Sequence, residues 1–453
     1  MTASGFGTCS QRNLSTSLRH LASRAALIPA VVTVCVVGCE HREPEIDAAR
    51  VERVITSLSA DEMLGRAPFT TAIDEAAHFI RDEFASVGLE PLGNVDDYLQ
   101  RFVVYRLQVQ TRRIVLNGIE IPSERSAAWA GAPSVHWTTG DTVEVTVIGP
   151  EEDPGRRINS IRMSGRNTLV LMSPGHQAFF RRFSERVSVP EFFLDPPSGS
   201  TLVCVLTDEA QAVAYTVEVM APLEELPLTN VVGVIPGRRA DQIVLFGGHY
   251  DGKGILDPVG GDSIANGAND GASGTTAVIE LARYFKARRE PERTLIFAAF
   301  TAEEIGFLGS EYLSRQLDPK TIVAMFSIAA IGKVDPRGHN TAHITGFDRS
   351  DFGAILQHAV EGTGYSFYPD PYVGQELFRR SDNAPFARLG VPAHAIGTIS
   401  MDPRDEDLHR VSDEVETLDL ANMTNLIRAI ALGASAIISG EATPTRIDPP
   451  LRD

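Results

Sequence analysis

Two adjacent carboxylates at the end of an apolar run are the part of this sequence that most clearly suggests chemistry. Residues 294–300 form a run of strand length that leads into Glu303 and Glu304. Neighbouring carboxylates at the end of a buried strand repel each other and lose hydration, so they need a cation or a solvent-exposed loop. A metal ion would also acidify a bound water, and a nearby base could then take its proton. We therefore predict Glu304 as a metal ligand and Glu303 as the general base.

Three further segments offer metal-ligating side chains, although each alone has a simpler explanation. His249 and Asp251 lie in a glycine-rich loop, where such a pair is more often only polar. Asp270 lies in a block of small residues that opens a helix, where it could act only as an N-cap. His409 lies in a polar loop, where a solvated histidine is the default. Together with the two glutamates, however, these side chains predict a metal site, since imidazoles and carboxylates are usual zinc ligands.

The elements around these residues predict a layered α/β domain. Apolar runs of strand length occur at residues 231–235, 243–246, 295–300 and 322–328. Helical periodicity occurs at residues 48–58, 71–87, 274–288, 351–361 and 418–438. Buried strands covered by helices on both faces are the expected architecture.

Residues 103–227 have a different texture, with short alternating β runs between clusters of Gly, Pro and Asp. We predict a β-rich insertion, which would divide the main domain into residues 47–102 and 228–440. A degenerate protease-associated domain is one interpretation of the insertion, but no residue makes it specific. The proline-rich end, residues 441–453, is predicted to be a disordered tail.

The N-terminus predicts export. Within residues 1–39, three arginines and no acidic residue accompany an apolar stretch at 25–37 that is short for a membrane span. The stretch ends in Val-Val-Gly-Cys, which resembles the lipobox of bacterial lipoproteins and makes Cys39 the expected lipid anchor. An ordinary signal peptide and a transmembrane anchor are the alternatives. Residues 40–46 would be a tether, and Glu40 favours the outer membrane of a bacterial cell envelope.

Charge and cysteine usage exclude some classes of partner. The chain has 59 acidic and 41 basic residues, a net charge of −18, which becomes −21 when the three arginines of the signal are removed. Phosphate backbones would be repelled, so no nucleic acid partner is expected. Cys39 and Cys204 would be the remaining cysteines, which gives no disulfide framework. The absence of heptads and of an obvious apolar stripe slightly favours a monomer.

The ordered motifs resemble the family 28 zinc metallopeptidases, which include aminopeptidase Y, bacterial leucyl aminopeptidases, glutamate carboxypeptidase and glutaminyl cyclase. The resemblance covers about residues 51–101 and 229–436, in the expected order and spacing. It implies a three-layer α/β/α zinc-exopeptidase domain of the phosphorylase/hydrolase-like class with a mixed sheet. The matching residues are His249-Tyr250-Asp251, Gly-Ala-Asn-Asp-Gly-Ala-Ser-Gly at 267–274, Glu303-Glu304-Ile305-Gly306 with Gly309-Ser310, Ser381-Asp382 with Pro385-Phe386, and His409.

The resemblance implies two zinc ions bridged by Asp270. One would be completed by Glu304 and His409, and the other by His249 and a further aspartate. The first site would have three protein ligands and an open position, the usual arrangement for catalytic zinc.

One position departs from this pattern. The chain has Ala329 where the further aspartate is expected, within Ser-Ile-Ala-Ala-Ile-Gly at 327–332. A methyl group cannot bind a cation. The zinc at His249 would therefore bind more weakly, or be completed by water or by another carboxylate such as Asp382.

The resemblance also implies that Asp251 orients His249 and fixes its tautomer, and that Glu303 activates the catalytic water. The leading functional hypothesis is an exported zinc exopeptidase acting on peptides, with an aminopeptidase favoured over a carboxypeptidase. The alternatives are a one-zinc glutaminyl cyclase or other amidohydrolase, and a silent binding protein on a peptidase fold. Loops at residues 366–378 and 399–406 are expected to build the substrate pocket.

Overall fold

The structure is a computed structural model that describes residues 45–93 and 97–448 of the 453-residue chain. The predicted signal at 1–39, with Cys39, and residues 40–44 of the tether lie outside the described residues.

Helices form where apolar side chains recur at helical spacing and a polar side chain precedes them. In α1 (Ala48–Leu58), for example, one face is buried and the Asp47 carboxylate accepts a hydrogen bond from the backbone N–H of Ala49. The other helices are α2 (Thr71–Val87), α3 (Pro154–Met163), α4 (Gln177–Ser188), α5 (Ser273–Lys286), α6 (Leu308–Gln316), α7 (Phe352–Ala359), α8 (Asn383–Arg388) and α9 (Leu420–Ile438).

Strands form at each of the predicted apolar runs, and the structure contains further, shorter strands. In chain order they are β1 (Glu90–Pro91), β2 (Leu99–Leu107), β3 (Thr111–Leu116), β4 (Ile119–Glu120), β5 (Ser126–Trp129), β6 (Ser134–Thr138), β7 (Glu144–Ile148), β8 (Thr168–Met172), β9 (Glu191–Phe193), β10 (Leu202–Leu206), β11 (Tyr215–Met220), β12 (Leu223–Ile235), β13 (Arg239–His249), β14 (Gly254–Val259), β15 (Asp262–Ala265), β16 (Arg293–Phe300), β17 (Ile322–Ile328), β18 (Thr341–Ile344), β19 (Ser366–Pro369) and β20 (Ala393–Gly397).

The main sheet is mixed and has the order β19-β18-β20-β17-β13-β16-β12-β2-β9, with β1 paired to β12. Its centre is parallel: β13 lies between β16 and β17, and β17 also pairs in parallel with β20. The strands on the insertion side, β12, β2 and β9, are antiparallel. The parallel centre places the carboxyl ends of four strands at one edge.

Helices cover both faces of this sheet, as predicted. One face packs against α1, α2, α5, α7 and α9, and the other against α6 and α8. At the centre of the first face, Phe246 stacks on Phe297 and Phe326, with ring centroids 5.4 and 4.7 Å apart. Helix α9 is long and apolar enough to cross a bilayer, but 67% of its most apolar window is buried in the domain. Its composition is therefore explained by its position in the core.

The insertion consists of two packed sheets and two helices. The sheets have the orders β5-β10-β8-β7 and β4-β3-β11-β6, and they share an apolar core that includes Trp137, Leu169 and Val217. Helices α3 and α4 cover the other face of the first sheet through Ile161 and Phe183. The short alternating β runs predicted the strands, but the two helices, whose sequences are mostly polar, were not predicted.

The prediction of a disordered tail is wrong for residues 441–448. The Arg293 guanidinium donates to the carbonyl oxygen of Ala442 at 2.7 Å, and Arg446 donates to the carbonyl oxygen of Ile322 at 2.9 Å. The side chain of Ile447 is only 2% exposed. The segment forms neither helix nor strand, as its composition indicated. The hydrogen bonds from the two arginines and the burial of Ile447 nevertheless order it. Residues 449–453 lie outside the described residues.

Buried His394 gives the domain an expected sensitivity to acid. Its Nδ1 donates to the Thr345 carbonyl oxygen at 2.9 Å, and its Nε2 accepts from the Ser350 hydroxyl at 2.7 Å. Burial lowers the pKa of His394 to about 4. Histidine in the unfolded chain has a pKa of about 6.5. The contribution of neutral His394 to the stability of the fold is therefore fully present above pH 6.5 and is lost as the pH falls towards 4. By pH 4.5 the loss should reach about 2–3 kcal/mol.

Urea unfolding at pH 7 and pH 4.5 measures this loss. Other groups titrate in the same window, so the informative quantity is the difference between the wild type and His394→Gln. We expect the free energy of unfolding of the variant to fall less between the two pH values. An equal fall in both proteins would show that His394 does not cause the effect.

Candidate active site

Four parallel strands bring candidate residues to one edge of the main sheet. His249 is the last residue of β13, Glu303 and Glu304 follow β16, and Ala329 follows β17. Gly397, at the end of β20, lines the same cavity as these residues. Ligands in open α/β sheets bind outside the carboxyl ends of the strands, so this edge is the expected site.

Asp270, Glu304 and His409 form a cluster of metal-binding geometry. One potential ligand atom from each lies within 4.8 Å of the others. The Nε2 atom of His409 is 3.0 Å from Oδ2 of Asp270 and 3.4 Å from Oε2 of Glu304. Two carboxylates and one imidazole that converge on the wall of a cavity fit a zinc ion with an open coordination position. The structure thus brings together three of the four predicted ligands.

The fourth predicted ligand, His249, lies on the other side of Asp270. Its Nε2 is 3.2 Å from Oδ1 of Asp270, so the two imidazoles approach different oxygens of one carboxylate. Burial opposes ionisation of Asp270, but hydrogen bonds from His249 and His409 hold the pKa of this carboxyl well below its usual range. The ionised Asp270 carboxylate can therefore interact with groups on both of its sides, one through each oxygen.

The Nδ1 atom of His249 faces Asp251, and both the carbonyl oxygen and the carboxylate of that residue lie near it. Its Nδ1 lies 3.2 Å from the carbonyl oxygen of Asp251 and 3.7 Å from Oδ1 of the same residue. Donation to the carbonyl fixes the tautomer and leaves Nε2 available as a ligand. Gly271 packs on the ring, where a Cβ atom would lie 2.4 Å from Cε1 of His249. The glycine is required by this close approach.

The Asp251 carboxylate has further contacts beyond the one with His249 that the family resemblance implied. Its two oxygens accept the backbone N–H groups of Glu303 and Glu304, each at 3.1 Å. Burial raises the pKa of Asp251 to about 7. Asp251 is therefore a positioning residue that fixes the main chain of both glutamates.

Glu303 lines the cavity next to the metal cluster. Enclosure away from water raises the pKa of this carboxyl well above its usual range, and the neighbouring Asp382 acts in the same direction, while His249 opposes it. Both carboxylate oxygens of Asp382 are buried without a hydrogen-bond partner among the described residues, and burial raises its pKa to about 6. A carboxylate with a raised pKa accepts protons readily, which suits a general base.

Arg66 supports the site and was not predicted from the sequence. Its buried guanidinium donates to the carbonyl oxygens of Tyr250 and Asn266, both at 2.7 Å, and to that of Gly267 at 3.0 Å. It also donates to the carbonyl oxygen of Leu58. Burial lowers the pKa of Arg66 to about 10. The Arg66 guanidinium therefore links the loop of His249 to the loop of Asp270 through hydrogen bonds.

Asp413 is a second supporting residue that was not predicted. Its carboxylate accepts the backbone N–H of Asn269 at 2.8 Å and that of Asp270 at 3.0 Å. Burial raises the pKa of this carboxyl to about 7. Asp413 lies four residues after His409, so it couples the backbone positions of two ligands from distant parts of the chain.

The metal cluster opens into a cavity of about 350 Å³. Parts of its wall are apolar, including Leu377, Ile399 and Met401, which come from the two loops predicted to build the pocket. His343 also lines the cavity, with its Nδ1 3.1 Å from Oδ2 of Asp335. The charged side chains on the wall are Lys253, Asp270, Glu303, Glu304, Arg380 and Arg404.

Lys253 competes with a metal ion for one of the carboxylates. Its Nζ lies 2.5 Å from Oε2 of Glu304, the same oxygen that faces His409. A zinc ion on this oxygen would displace the ammonium group. We therefore expect Lys253→Met to bind zinc about fivefold more tightly, the effect of removing a competing ion pair worth about 1 kcal/mol.

Competition with a chromophoric chelator measures this change in zinc affinity. The exposed Lys320 lies in a turn outside the cavity, so Lys320→Met controls for the loss of one positive charge. Equal or weaker zinc binding by Lys253→Met would contradict the expected competition.

Comparisons with known proteins agree with this geometry. Residues 230–433 match the sequence profile described as Peptidase family M28. Probable zinc metalloproteases of the fungi Pyricularia oryzae and Leptosphaeria maculans are 38% and 41% identical over 89 and 91 residues, which is 19% and 20% of this chain. The matched segments span only about a fifth of these relatives, 17% and 21% of their lengths.

Two solved structures share the fold. An aminopeptidase from Aneurinibacillus sp. strain AM-1 has a TM-score of 0.53 at 17% identity, over 90% of this chain and 97% of its own. A zinc aminopeptidase from Bacillus subtilis has a TM-score of 0.53 at 18% identity, over 89% of this chain and 98% of its own.

Proposed function

We propose, from the match of residues 230–433 to Peptidase family M28, that the protein is a zinc-dependent exopeptidase which removes N-terminal residues from peptides. The observation that carries this proposal is the convergence of Asp270, Glu304 and His409 on one point of a cavity that Glu303 also lines. A zinc ion bound there would supply Lewis acidity, which polarises a carbonyl group and makes water a stronger acid.

The side chains of this protein then have distinct tasks. Glu303 accepts the proton of the attacking water and can return it to the leaving amine, since one carboxyl group can act first as a base and then as an acid. Asp251 holds the main chain of Glu303, and Asp413 holds the main chain of Asp270. Because these contacts exist before substrate binds, little reorganisation is needed during reaction.

Action at a chain end is supported by the size of the cavity and by the fold. A volume of about 350 Å³ accommodates a terminal residue rather than an extended polypeptide. The two fold relatives with TM-scores of 0.53 are described as aminopeptidases, which favours the N-terminus of the substrate.

We also propose that the protein is exported and anchored in a bacterial cell envelope through lipidated Cys39. The support is the arginine-bearing, acid-free N-terminus that ends in Val-Val-Gly-Cys. Metabolic labelling with palmitate tests this, and labelling that persists in Cys39→Ala would contradict it.

Zinc content and hydrolysis of aminoacyl nitroanilides by the purified full chain test the enzymatic proposal. We expect at least one zinc per chain, loss of hydrolysis with a chelator, and recovery when zinc is restored. N-acetylated peptides with a free C-terminus test for carboxypeptidase activity. No bound zinc and no turnover would instead support a binding protein on a peptidase fold.

A further inference from the structure

Among the described residues, two arginines on the wall of the candidate active-site cavity have no acidic partner. Arg380 precedes α8, and Arg404 lies between β20 and α9. In the described part of the chain, Arg404 makes no side-chain hydrogen bond or ion pair, and Arg380 donates only to the carbonyl oxygen of Gln375 at 3.2 Å. Both are exposed to the solvent that fills the cavity. Two cations are thus free to bind a ligand.

The two arginines come from loops that contact each other. The Tyr372 hydroxyl, on the loop of Arg380, donates to Oγ of Ser400, on the loop of Arg404, at 3.3 Å. This contact joins the two loops along one side of the cavity.

Two of the four acidic residues within three positions of Arg404 are already engaged. Lys333 binds Oδ1 of Asp405 at 2.8 Å and also binds Asp407. Both carboxylates are therefore neutralised by a lysine, and neither forms an ion pair with the arginine. The unpaired state of Arg404 is notable because the chain has more acidic than basic residues.

The charge of the cavity also favours an anion. Its wall has three carboxylates and three cationic side chains, which balance. A bound zinc ion would leave an excess of two positive charges in the cavity, although the chain as a whole has a net charge of −18. Such a local field attracts a negatively charged group.

We propose that the substrate carries a carboxylate next to the scissile amide bond and that Arg380 and Arg404 bind it. A guanidinium presents paired N–H donors that match a carboxylate. This inference rests on the proposed peptidase function and narrows its substrate class. The carboxylate is either the side chain of an acidic N-terminal residue or the α-carboxylate of a short peptide.

Kinetics with isosteric substrate pairs test the inference on the zinc-loaded full chain. Glutamyl against glutaminyl nitroanilide probes an acidic side chain, and dipeptides with a free N-terminus against their C-terminal amides probe the α-carboxylate. We expect the charged member of one pair to have a kcat/KM at least about tenfold higher. Arg380→Gln and Arg404→Gln should each raise KM for that member about tenfold and leave the neutral member unchanged.

Arg349→Gln is the matched control, because Arg349 lies over Phe378 and does not line this cavity. Equal kcat/KM values within both pairs, with no effect of either cavity variant, would overturn the inference.

A failure of the proposed peptidase function gives a different result, namely no turnover of any substrate. Calorimetric binding of free glutamate and of glutamine to the zinc-loaded protein then decides the inference. Tighter binding of glutamate that Arg404→Gln abolishes would support it, and equal binding of the two amino acids would overturn it.

Discussion

Glu303→Gln should lower kcat for peptide-bond hydrolysis by about 10²–10⁴-fold, the usual contribution of a general base. The amide keeps the shape of the side chain but cannot accept a proton. Zinc affinity should be nearly unchanged, because Glu303 is not one of the three converging ligands. The melting temperature should not fall, since burial disfavours the charged form of Glu303 and the neutral amide carries no such desolvation cost.

The adjacent glutamate provides the matched control. Glu304→Gln alters a side chain that is identical and next in the chain, but whose Oε2 lies in the metal cluster. It should weaken zinc binding by about 100-fold or more, at least as much as the loss of an outer-shell partner. Zinc titration and steady-state kinetics of both variants therefore separate the two roles. If Glu303→Gln lost zinc and Glu304→Gln kept it, the assignment of base and ligand would be reversed.

The sequence was sufficient to predict the main domain because its signals are local. Strand-length apolar runs and helical periodicity gave the central strands and the covering helices. The motifs shared with the family then identified the candidate site residues at the strand ends. The cluster of Asp270, Glu304 and His409 agrees with those assignments, since parallel strands place their carboxyl ends together.

The supporting contacts could not be predicted because one partner in each is a backbone group far along the chain. Arg66 binds carbonyl oxygens about 184 to 201 residues away, in loops that the sequence does not relate to it. Asp413 binds N–H groups more than 140 residues away. In each such pair only one partner is a side chain, so the sequence contains no residue type that would identify the other partner. The contacts of the Asp251 carboxylate with the N–H groups of the two glutamates were missed for the same reason.

The largest expected gain of function concerns Ala329, where the resemblance to the family 28 metallopeptidases predicts an aspartate. Ala329 follows β17 and lines the cavity, but its methyl group offers no ligand atom. His249 and the Oδ1 side of Asp270 therefore lack the carboxylate that would complete a second metal site. We expect Ala329→Asp to raise the zinc content of the reconstituted protein from about one ion per chain to about two, because a fixed carboxylate adds a charged ligand.

Ala330→Asp is the matched control, since it adds the same charge to the same cavity from the next backbone position. Plasma emission spectrometry after equilibrium dialysis would give the zinc content of both variants and of the wild type. Two ions in the wild type would show that another group, such as the unpartnered carboxylate of Asp382, already replaces the missing ligand. One ion in Ala329→Asp would show that His249 acts on Asp270 through its hydrogen bond rather than as a ligand, so that the site is built around a single metal.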